Sequence, residues 1–226
     1  MQLVIGNKNY SSWSMRPWVL MTHFGMAFDE VKLRFDFTPD SDFYRALRAF
    51  TPTGRVPVLV DDGFAVWDTL AIVEYLAERY PELLIWPRDA QGRARARSLC
   101  AEMHSGFGAL RGACPQNLEA VMPAVGLRLL AEQPGIAKDL ARIDAMWSEQ
   151  LAQSGGPYLF GEFGAVDAFY APVAGRIRTY GLPVSPEAAA YGERLLAAPG
   201  VAEWVADALA EKDFLDFEEP YRSTAD

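Results

Sequence analysis

Three serines lie close together near the start of the chain, in the segment NYSSWSMRPW at positions 9–18. Pro17 lacks an N–H and fits a helix within its first turn, so we place the helix N-cap at Ser14, with Ser11 and Ser12 just before it. A helix N-terminus carries about half a positive charge and unpaired N–H groups, which attract an anion. The segment therefore predicts an anion site beside Ser11 and Ser12, although serines before a helix also serve as plain caps and turn formers.

Two further features have the chemistry to bind a small zwitterionic peptide. A cis bond at Val56–Pro57 would form a sharp turn and leave the backbone N–H and C=O of Val56 free to pair with an extended peptide. At the next helix, the Asp68 carboxylate can hold an ammonium, while the Thr69 hydroxyl and N–H can hold a carboxylate. Taken singly, Asp68 also suits a helix cap and Pro57 the start of a strand. Together with the serine segment, they predict a peptide site.

The elements that must position these residues follow from hydrophobic spacing. QLVI at 2–5 and EVKLRF at 30–35 are strand-like, and a helix lies between them, so we expect parallel strands joined by a right-handed crossover. Strand-like runs at 58–60 and 64–67 flank Asp62–Gly63, a dipeptide that favours a tight hairpin. A helix capped by Asp68 or Thr69 follows, with apolar residues three or four positions apart. The predicted order of this unit is βαβ, a connection, then ββα.

The rest of the chain is predicted to be helical. Proline-bounded PELLIWP suits a linker, and helical spacing recurs beyond it. The expected helices cover 90–113, 136–154, 166–180, 186–198 and 201–211. We therefore predict an α/β domain at 1–80, a linker at 81–89 and an all-α domain at 90–226. The arginines at positions 88, 93, 95 and 97 are expected on a solvated or interface face of the first long helix.

Composition narrows the functional classes. Half of the 226 residues are hydrophobic, which is typical of a folded globular protein, and the formal charge of −9 disfavours nucleic acid and anionic lipid as partners. There is no leader-like start and no run of about 18 apolar residues, so we expect no membrane segment and a cytoplasmic location. Cys100 and Cys114 are far from any CxxC spacing, and His23 and His104 are the only histidines, so we predict neither a metal site nor a disulfide framework.

The motifs YSSWSMR and GRVPVLVDDGFAVWDTLAIVEYLAERYPE, followed by a helical remainder, resemble the cytosolic glutathione S-transferases. The likeness covers nearly the whole chain and is nearest to zeta-class and related bacterial serine-type members. It implies a thioredoxin-like N-terminal domain that binds glutathione, a helical domain over an electrophilic second substrate, and a two-fold homodimer. It also identifies FGEFGAVDAFY as a buried capping segment, in which Gly164 stands where a hydroxyl residue is usual and Asp167 remains.

The resemblance also implies roles for individual residues. Ser11 and Ser12 match the pair whose hydroxyl hydrogen-bonds the glutathione sulfur, and Val56 matches the residue that pairs with the cysteinyl backbone. Asp68 and Thr69 match the residues that hold the γ-glutamyl end.

Four more positions follow from the same resemblance. Arg55 matches a position that is sometimes basic, where it can meet the glycyl carboxylate. His104, Phe107 and Arg111 lie in the long helix that borders the cleft in this family and are candidates for the second substrate, while His104 also suits a packing role.

The implied chemistry is activation of a thiol. A free thiol has a pKa of about 8.5, and lowering it by about two units would ionise most of the bound thiol at neutral pH. The predicted function is transfer of glutathione to an electrophile. A glutathione-dependent cis–trans isomerase of the maleylacetoacetate type stays open, although Trp13 stands where the zeta signature has cysteine, as does a non-catalytic glutathione-binding homologue. A thiol oxidoreductase would need a cysteine at 11–14, and none is present.

Overall fold

The computed structural model describes residues 1–224, and the strands in this part of the chain form one four-stranded mixed sheet. The strands are β1 (Gln2–Ile5), β2 (Asp29–Lys32), β3 (Val58–Asp61) and β4 (Phe64–Trp67), in the spatial order β2–β1–β3–β4. The predicted parallel pairing of β1 with β2 is confirmed, and β3 runs antiparallel to both β1 and β4. Asp62 and Gly63 close the hairpin with φ of 48° and 82°, as a two-residue turn of this hand requires.

Helix α1 (Ser12–His23) begins earlier than predicted. Its N-cap is Ser11, whose Oγ accepts the N–H of Ser14 at 3.3 Å, so the expected N-cap at Ser14 is wrong. The two hydroxyl oxygens lie 2.7 Å apart, and Ser14 Oγ accepts the N–H of Gly6 at 3.2 Å. This network ties the helix start to the end of β1. One backbone bond is lost in this arrangement, because Pro17 lies inside the helix without an N–H.

Two more α-helices complete the first domain, and seven α-helices and a short 3-10 helix (Asp216–Glu218) follow among the residues described. The first domain contains α2 (Asp42–Leu47) and α3 (Thr69–Arg79), with Asp68 as the N-cap of α3. The helical domain consists of α4 (Ala90–Ser105), α5 (Gly108–Ala113), α6 (Pro123–Glu132), α7 (Pro134–Ser154), α8 (Ala165–Tyr180), α9 (Pro186–Leu196) and α10 (Pro199–Glu211).

The structure corrects two details of the helical prediction. The helix expected over 90–113 is interrupted at 106–107, where Phe107 adopts a left-handed conformation with φ of 55°. Helix α6 was not predicted, because Pro123 and Pro134 look like breaks in the sequence. In the structure each proline occupies the first turn of a helix, where its missing N–H has no intrahelical partner to lose.

Helix α8 forms the centre of the molecule and packs against α1 and α4. Its N-terminus is held by Asp167, whose Oδ2 accepts the N–H of Gly164 at 3.0 Å. Asp167 Oδ1 also accepts the N–H of Leu159 at 3.2 Å and the hydroxyl of Tyr191 at 2.7 Å. Because α8 contacts α1 directly, the buried capping segment helps to fix where the serine-bearing helix lies.

The loop from β1 to α1 is anchored by the last part of the chain. Lys8 is buried, and its Nζ lies 4.3 Å from the ring centroid of Trp18 and 5.3 Å from that of Trp204. The same ammonium pairs with Glu30 at 2.7 Å and with Asp207 of α10 at 2.5 Å. The loop that leads into the serines therefore packs on helix α10.

None of the helices within residues 1–224 is long and apolar enough to span a membrane.

Candidate functional site

One cleft of about 1210 Å³ is lined by both domains and collects most of the predicted site residues. From those predictions it contains Ser11, Ser12, Arg55, Val56, Asp68, Thr69, His104 and Arg111. Phe107 is the exception. It is buried in the core, where its ring packs against Tyr170 with centroids 6.4 Å apart, so we do not carry it forward as a second-substrate residue.

The two serines differ in how their hydroxyl groups are used. Ser11 donates its hydroxyl proton to Ser14 Oγ at 2.7 Å and accepts the Ser14 N–H, so both capacities serve the cap of α1. Ser12 Oγ accepts a hydrogen bond from Nη2 of Arg176 at 3.4 Å, and its own proton is donated to no group within residues 1–224. Of these two serines, only Ser12 therefore has a hydroxyl proton left for a ligand.

The turn before β3 presents unpaired backbone groups to the cleft. The Val56–Pro57 peptide bond is cis, and Val56 is partly exposed. Within the described part of the chain, neither the N–H nor the C=O of Val56 makes a hydrogen bond. Arg55 is exposed beside it and has no ion-pair or hydrogen-bond partner among residues 1–224. These groups suit an extended peptide that ends in a carboxylate.

The start of α3 supplies the opposite end of such a site. Asp68 caps the helix, since its Oδ1 accepts the N–H of Leu70 at 2.9 Å, and its backbone φ is 73°. Positive φ is costly outside glycine and concentrates at functional sites. Thr69 is 1% exposed, and its hydroxyl oxygen has no hydrogen-bond partner within residues 1–224. Thr69 lines the cleft, so its hydroxyl has hydrogen-bonding capacity that no described residue uses.

An indole forms part of the wall on the helical side. The Trp13 ring meets the His104 ring edge-on with centroids 5.0 Å apart. The guanidinium carbon of Arg111 lies 4.9 Å from the Trp13 ring centroid, and that of Arg16 lies 4.4 Å from it. Trp13 therefore stands in the cleft wall between cationic side chains and the second-substrate candidate His104.

The rest of the wall contains residues that the sequence analysis missed. Phe35, Phe37 and Phe43 form an apolar group, in which neighbouring ring centroids lie 5.1 to 5.8 Å apart. Glu218 comes from the tail after α10, and burial, together with the nearby Glu219, raises its pKa. The aromatic residues of DFTPDSDFY gave a local signal for the apolar group. Glu218 gave none, because the tail reaches the cleft only through the fold.

Arginines 88, 93, 95 and 97 lie outside the cleft lining. Arg97 makes a two-point ion pair with Glu74 of α3, at 2.7 and 2.8 Å. Arg93 donates to the carbonyls of Pro87 and Arg88. The contacts of Arg93 and Arg97 are structural.

No group of three or more His, Cys, Asp or Glu side chains in residues 1–224 has the arrangement of a metal site.

Comparison with known proteins finds two matching family models. Residues 10–79 match the model of the glutathione S-transferase N-terminal domain, and residues 94–207 match that of the C-terminal domain. The chain is 32% identical to mouse glutathione S-transferase theta-1 over 168 residues, which is 69% of this chain and 67% of the mouse protein.

Two further similarities differ in extent. The chain is 38% identical to a probable maleylacetoacetate isomerase of Caenorhabditis elegans over 61 residues, which cover only 27% of this chain and 28% of that protein. A Burkholderia glutathione transferase homologue, solved with bound glutathione, superposes with a TM-score of 0.64 and 27% identity, covering 93% of this chain and 98% of its own.

Proposed function

This chain belongs to the glutathione S-transferase family, and we propose that it binds glutathione in the cleft and activates its thiol for attack on an electrophilic small molecule. The observation that carries the proposal is that the cleft wall combines a free hydroxyl donor at Ser12 with unpaired backbone groups at Val56 and an unpaired hydroxyl at Thr69. A γ-linked tripeptide with two carboxylates and one ammonium has the complementary groups.

We assign the peptide groups as follows. Asp68 holds the ammonium of the γ-glutamyl end through its carboxylate, and Thr69 holds the carboxylate of that end through its hydroxyl and backbone N–H. The backbone of Val56 pairs with the cysteinyl residue, and Arg55 meets the glycyl carboxylate. This binding mode directs the cysteinyl sulfur toward the serines at the start of α1.

The chemical step then needs an ionised sulfur. A serine hydroxyl donates a hydrogen bond to the sulfur, and the N-terminus of α1 adds its partial positive charge, so the thiol pKa falls and its proton passes to water. The sulfur lone pair forms the new bond to the electrophilic atom, and the bonding electrons leave with the departing group or move into a conjugated system. The serine acts as a hydrogen-bond donor, so this step needs no histidine base.

His104 and Arg111 are proposed to face the second substrate. Both line the cleft and both contact the Trp13 ring, which lies close to Ser12 in sequence and in space. Their polar groups and the neighbouring aromatic wall suit an electrophile with an apolar body and a polar end.

The similarity to a probable maleylacetoacetate isomerase supports a second candidate function. In that reaction the thiolate adds to a conjugated double bond, the adduct rotates, and elimination returns the glutathione unchanged. Trp13 in place of the cysteine of the zeta signature favours transfer over isomerisation, because an indole reshapes the space beside the sulfur. Measuring glutathione consumption separates the two functions, since only transfer uses it up.

The test of the leading proposal is the ultraviolet absorbance of thiolate when glutathione is added at neutral pH. We expect the absorbance to rise on binding and to fall in Ser12→Ala. A wild-type protein that binds glutathione without forming thiolate would support the third candidate, a non-catalytic binding homologue. We further propose a two-fold homodimer, which the family resemblance and the exposed Phe64 on edge strand β4 support. The family resemblance also supports a cytoplasmic location.

A further inference from the structure

Three arginines from three different helices, Arg16, Arg111 and Arg176, contact Ser12 or its neighbour Trp13. Arg16 of α1 is 1% exposed and Arg176 of α8 is 4% exposed, while Arg111 of α5 is partly buried. Arg16 and Arg111 both contact the Trp13 ring. We refer to these three residues as the arginine cluster.

No carboxylate of the described residues pairs with the cluster. Arg111 donates to the carbonyls of Met103, His104 and Gly106 at 3.1 to 3.4 Å. Arg176 donates through Nε to the Cys114 carbonyl at 2.8 Å and through Nη1 to the Pro172 carbonyl at 3.3 Å. Carbonyl groups satisfy N–H donors but carry no net negative charge, so the positive charge of the cluster stays uncompensated.

Arg16 is the arginine of the cluster with the fewest hydrogen-bond partners. Its Nε and Nη1 have no hydrogen-bond partner within residues 1–224, and its guanidinium lies against the rings of Trp13 and Phe169, the latter centroid at 5.0 Å. Burial, followed by the charges of Arg111 and Arg176, lowers the pKa of Arg16 to about 9. Burial, followed by Arg111, lowers the pKa of Arg176 to about 10. A buried cation in this situation is stabilised by an anion placed nearby.

The arginine cluster contacts the serine pair through the hydrogen bond from Arg176 to Ser12. Arg176 donates to Ser12 Oγ through Nη2 at 3.4 Å, which occupies the oxygen as an acceptor and leaves its proton to point elsewhere. Ser11 lacks this freedom, because its proton is already donated to Ser14 Oγ. The acidic and basic residues that line the cleft are Arg55, Asp68, His104, Arg111, Arg176 and Glu218. Asp68 and Glu218 are the carboxylates of this lining, and neither forms an ion pair with an arginine of the cluster.

We propose that Ser12 is the serine that donates to the glutathione sulfur and that Arg176 is its positioning residue, holding the Ser12 hydroxyl toward the sulfur and stabilising the thiolate with its charge. This inference rests on the proposed function and adds the residue that orients the donor. Arg16 and Arg111 extend the positive field behind it. No covalent bond of the protein changes: the thiol loses its proton to water, and Ser12 keeps its own.

The experiment is a pH titration of thiolate absorbance in the glutathione complex. The variant Arg176→Met removes the charge and the donor, and we expect it to raise the thiol pKa by about one unit or more, as loss of a nearby opposite charge does. The variant Arg176→Lys keeps the charge, so it should recover part of that shift. Arg178→Met is the matched control, because Arg178 lies on the same helix, donates to the Leu118 carbonyl at 3.0 Å and does not line the cleft.

The serines provide the second arm of the test. We expect Ser12→Ala to raise the thiol pKa by more than Ser11→Ala, and Arg176→Met to have a smaller effect in the Ser12→Ala background than in the wild type. Circular dichroism and thermal unfolding establish that each variant folds. If Arg176→Met fails to fold, Arg176→Gln, which also removes the charge, takes its place.

The possible failures are distinguishable. A wild-type complex without thiolate would overturn the proposed function itself. Wild-type thiolate with an unchanged pKa in folded Arg176→Met, or in Arg176→Gln where the methionine variant does not fold, would overturn the role of Arg176. A larger shift in Ser11→Ala than in Ser12→Ala would overturn the assignment of the donor and return that role to Ser11.

Discussion

Nε2 of His104 lies 3.3 Å from Oδ2 of Asp68, so a side chain of helix α4 touches the residue that caps helix α3. One carboxylate oxygen of Asp68 serves its own helix, and the other faces the imidazole at the edge of the cleft. The helical domain therefore orients a carboxylate that we assign to glutathione binding. This contact connects the two halves of the site.

Replacing Asp68 by asparagine separates its two roles. Asparagine caps helices well and tolerates positive φ, so Asp68→Asn should keep the stability of α3 while removing the charge. We expect it to weaken glutathione binding by about 10- to 100-fold, the range of one charge-assisted hydrogen bond. Isothermal calorimetry gives the affinity. Wild-type affinity in this variant would mean that Asp68 is a cap and no more.

Removing the Ser11 hydroxyl should destabilise the start of α1. Its oxygen accepts the Ser14 N–H and its proton is donated to Ser14 Oγ, so Ser11→Ala loses a helix cap with a typical cost of about 1 kcal/mol. Urea unfolding measures the loss. Ser11→Thr keeps the hydroxyl and should lie close to wild type. If Ser11→Ala and Ser11→Thr unfold at the same urea concentration, the hydroxyl contributes nothing to the cap.

The buried carboxyl of Asp167 should make stability depend on pH. Burial raises its pKa from 3.8 to about 6, even though three hydrogen bonds from Tyr191, Gly164 and Leu159 oppose the shift. The folded state therefore binds the proton more tightly than the unfolded chain. The resulting stabilisation is present below about pH 4 and is lost as pH rises toward about 6, a difference on the order of 3 kcal/mol.

The comparison that isolates this effect is Asp167→Asn. The variant loses acceptors and should be less stable at every pH, but it carries no titrating carboxyl. The stability advantage of wild type over the variant should therefore shrink between about pH 4 and about 6 in urea unfolding. An advantage that grows with pH would show that the carboxyl is better stabilised as the anion in the folded state.

The proposed homodimer can be tested through Phe64, which is 64% exposed on edge strand β4. Sedimentation should give a dimer at micromolar concentration, and Phe64→Glu should shift it toward monomer, because a charge in an apolar interface is costly. Val121→Glu is the matched control, since Val121 is 80% exposed in the helical domain. A monomeric wild type would contradict the proposal, and equal effects of the two substitutions would remove Phe64 from the interface.

The sequence predicted well those features that depend on local patterns. The strand at Gln2–Ile5, the Asp62–Gly63 hairpin and the cap at Asp68 each follow from a few neighbouring residues. The start of α1 was misplaced because the Ser14 hydroxyl is held by Gly6, eight positions earlier, which local helix rules do not consider. Arg176 was missed because it lies 164 positions from Ser12, in a helix that otherwise reads as core.

Lys8 has a consequence for any attempt to recombine this chain with its relatives. Its ammonium lies between aromatic rings of α1 and α10, and Asp207, one of its two carboxylate partners, lies 199 positions later in the sequence. A chimera that keeps this N-terminal half and borrows another helical half must therefore import Trp204 and Asp207 as well. Without them, the loop between β1 and α1 that positions Ser12 would lose the contacts of Lys8 with α10, even if every residue assigned to glutathione binding were retained.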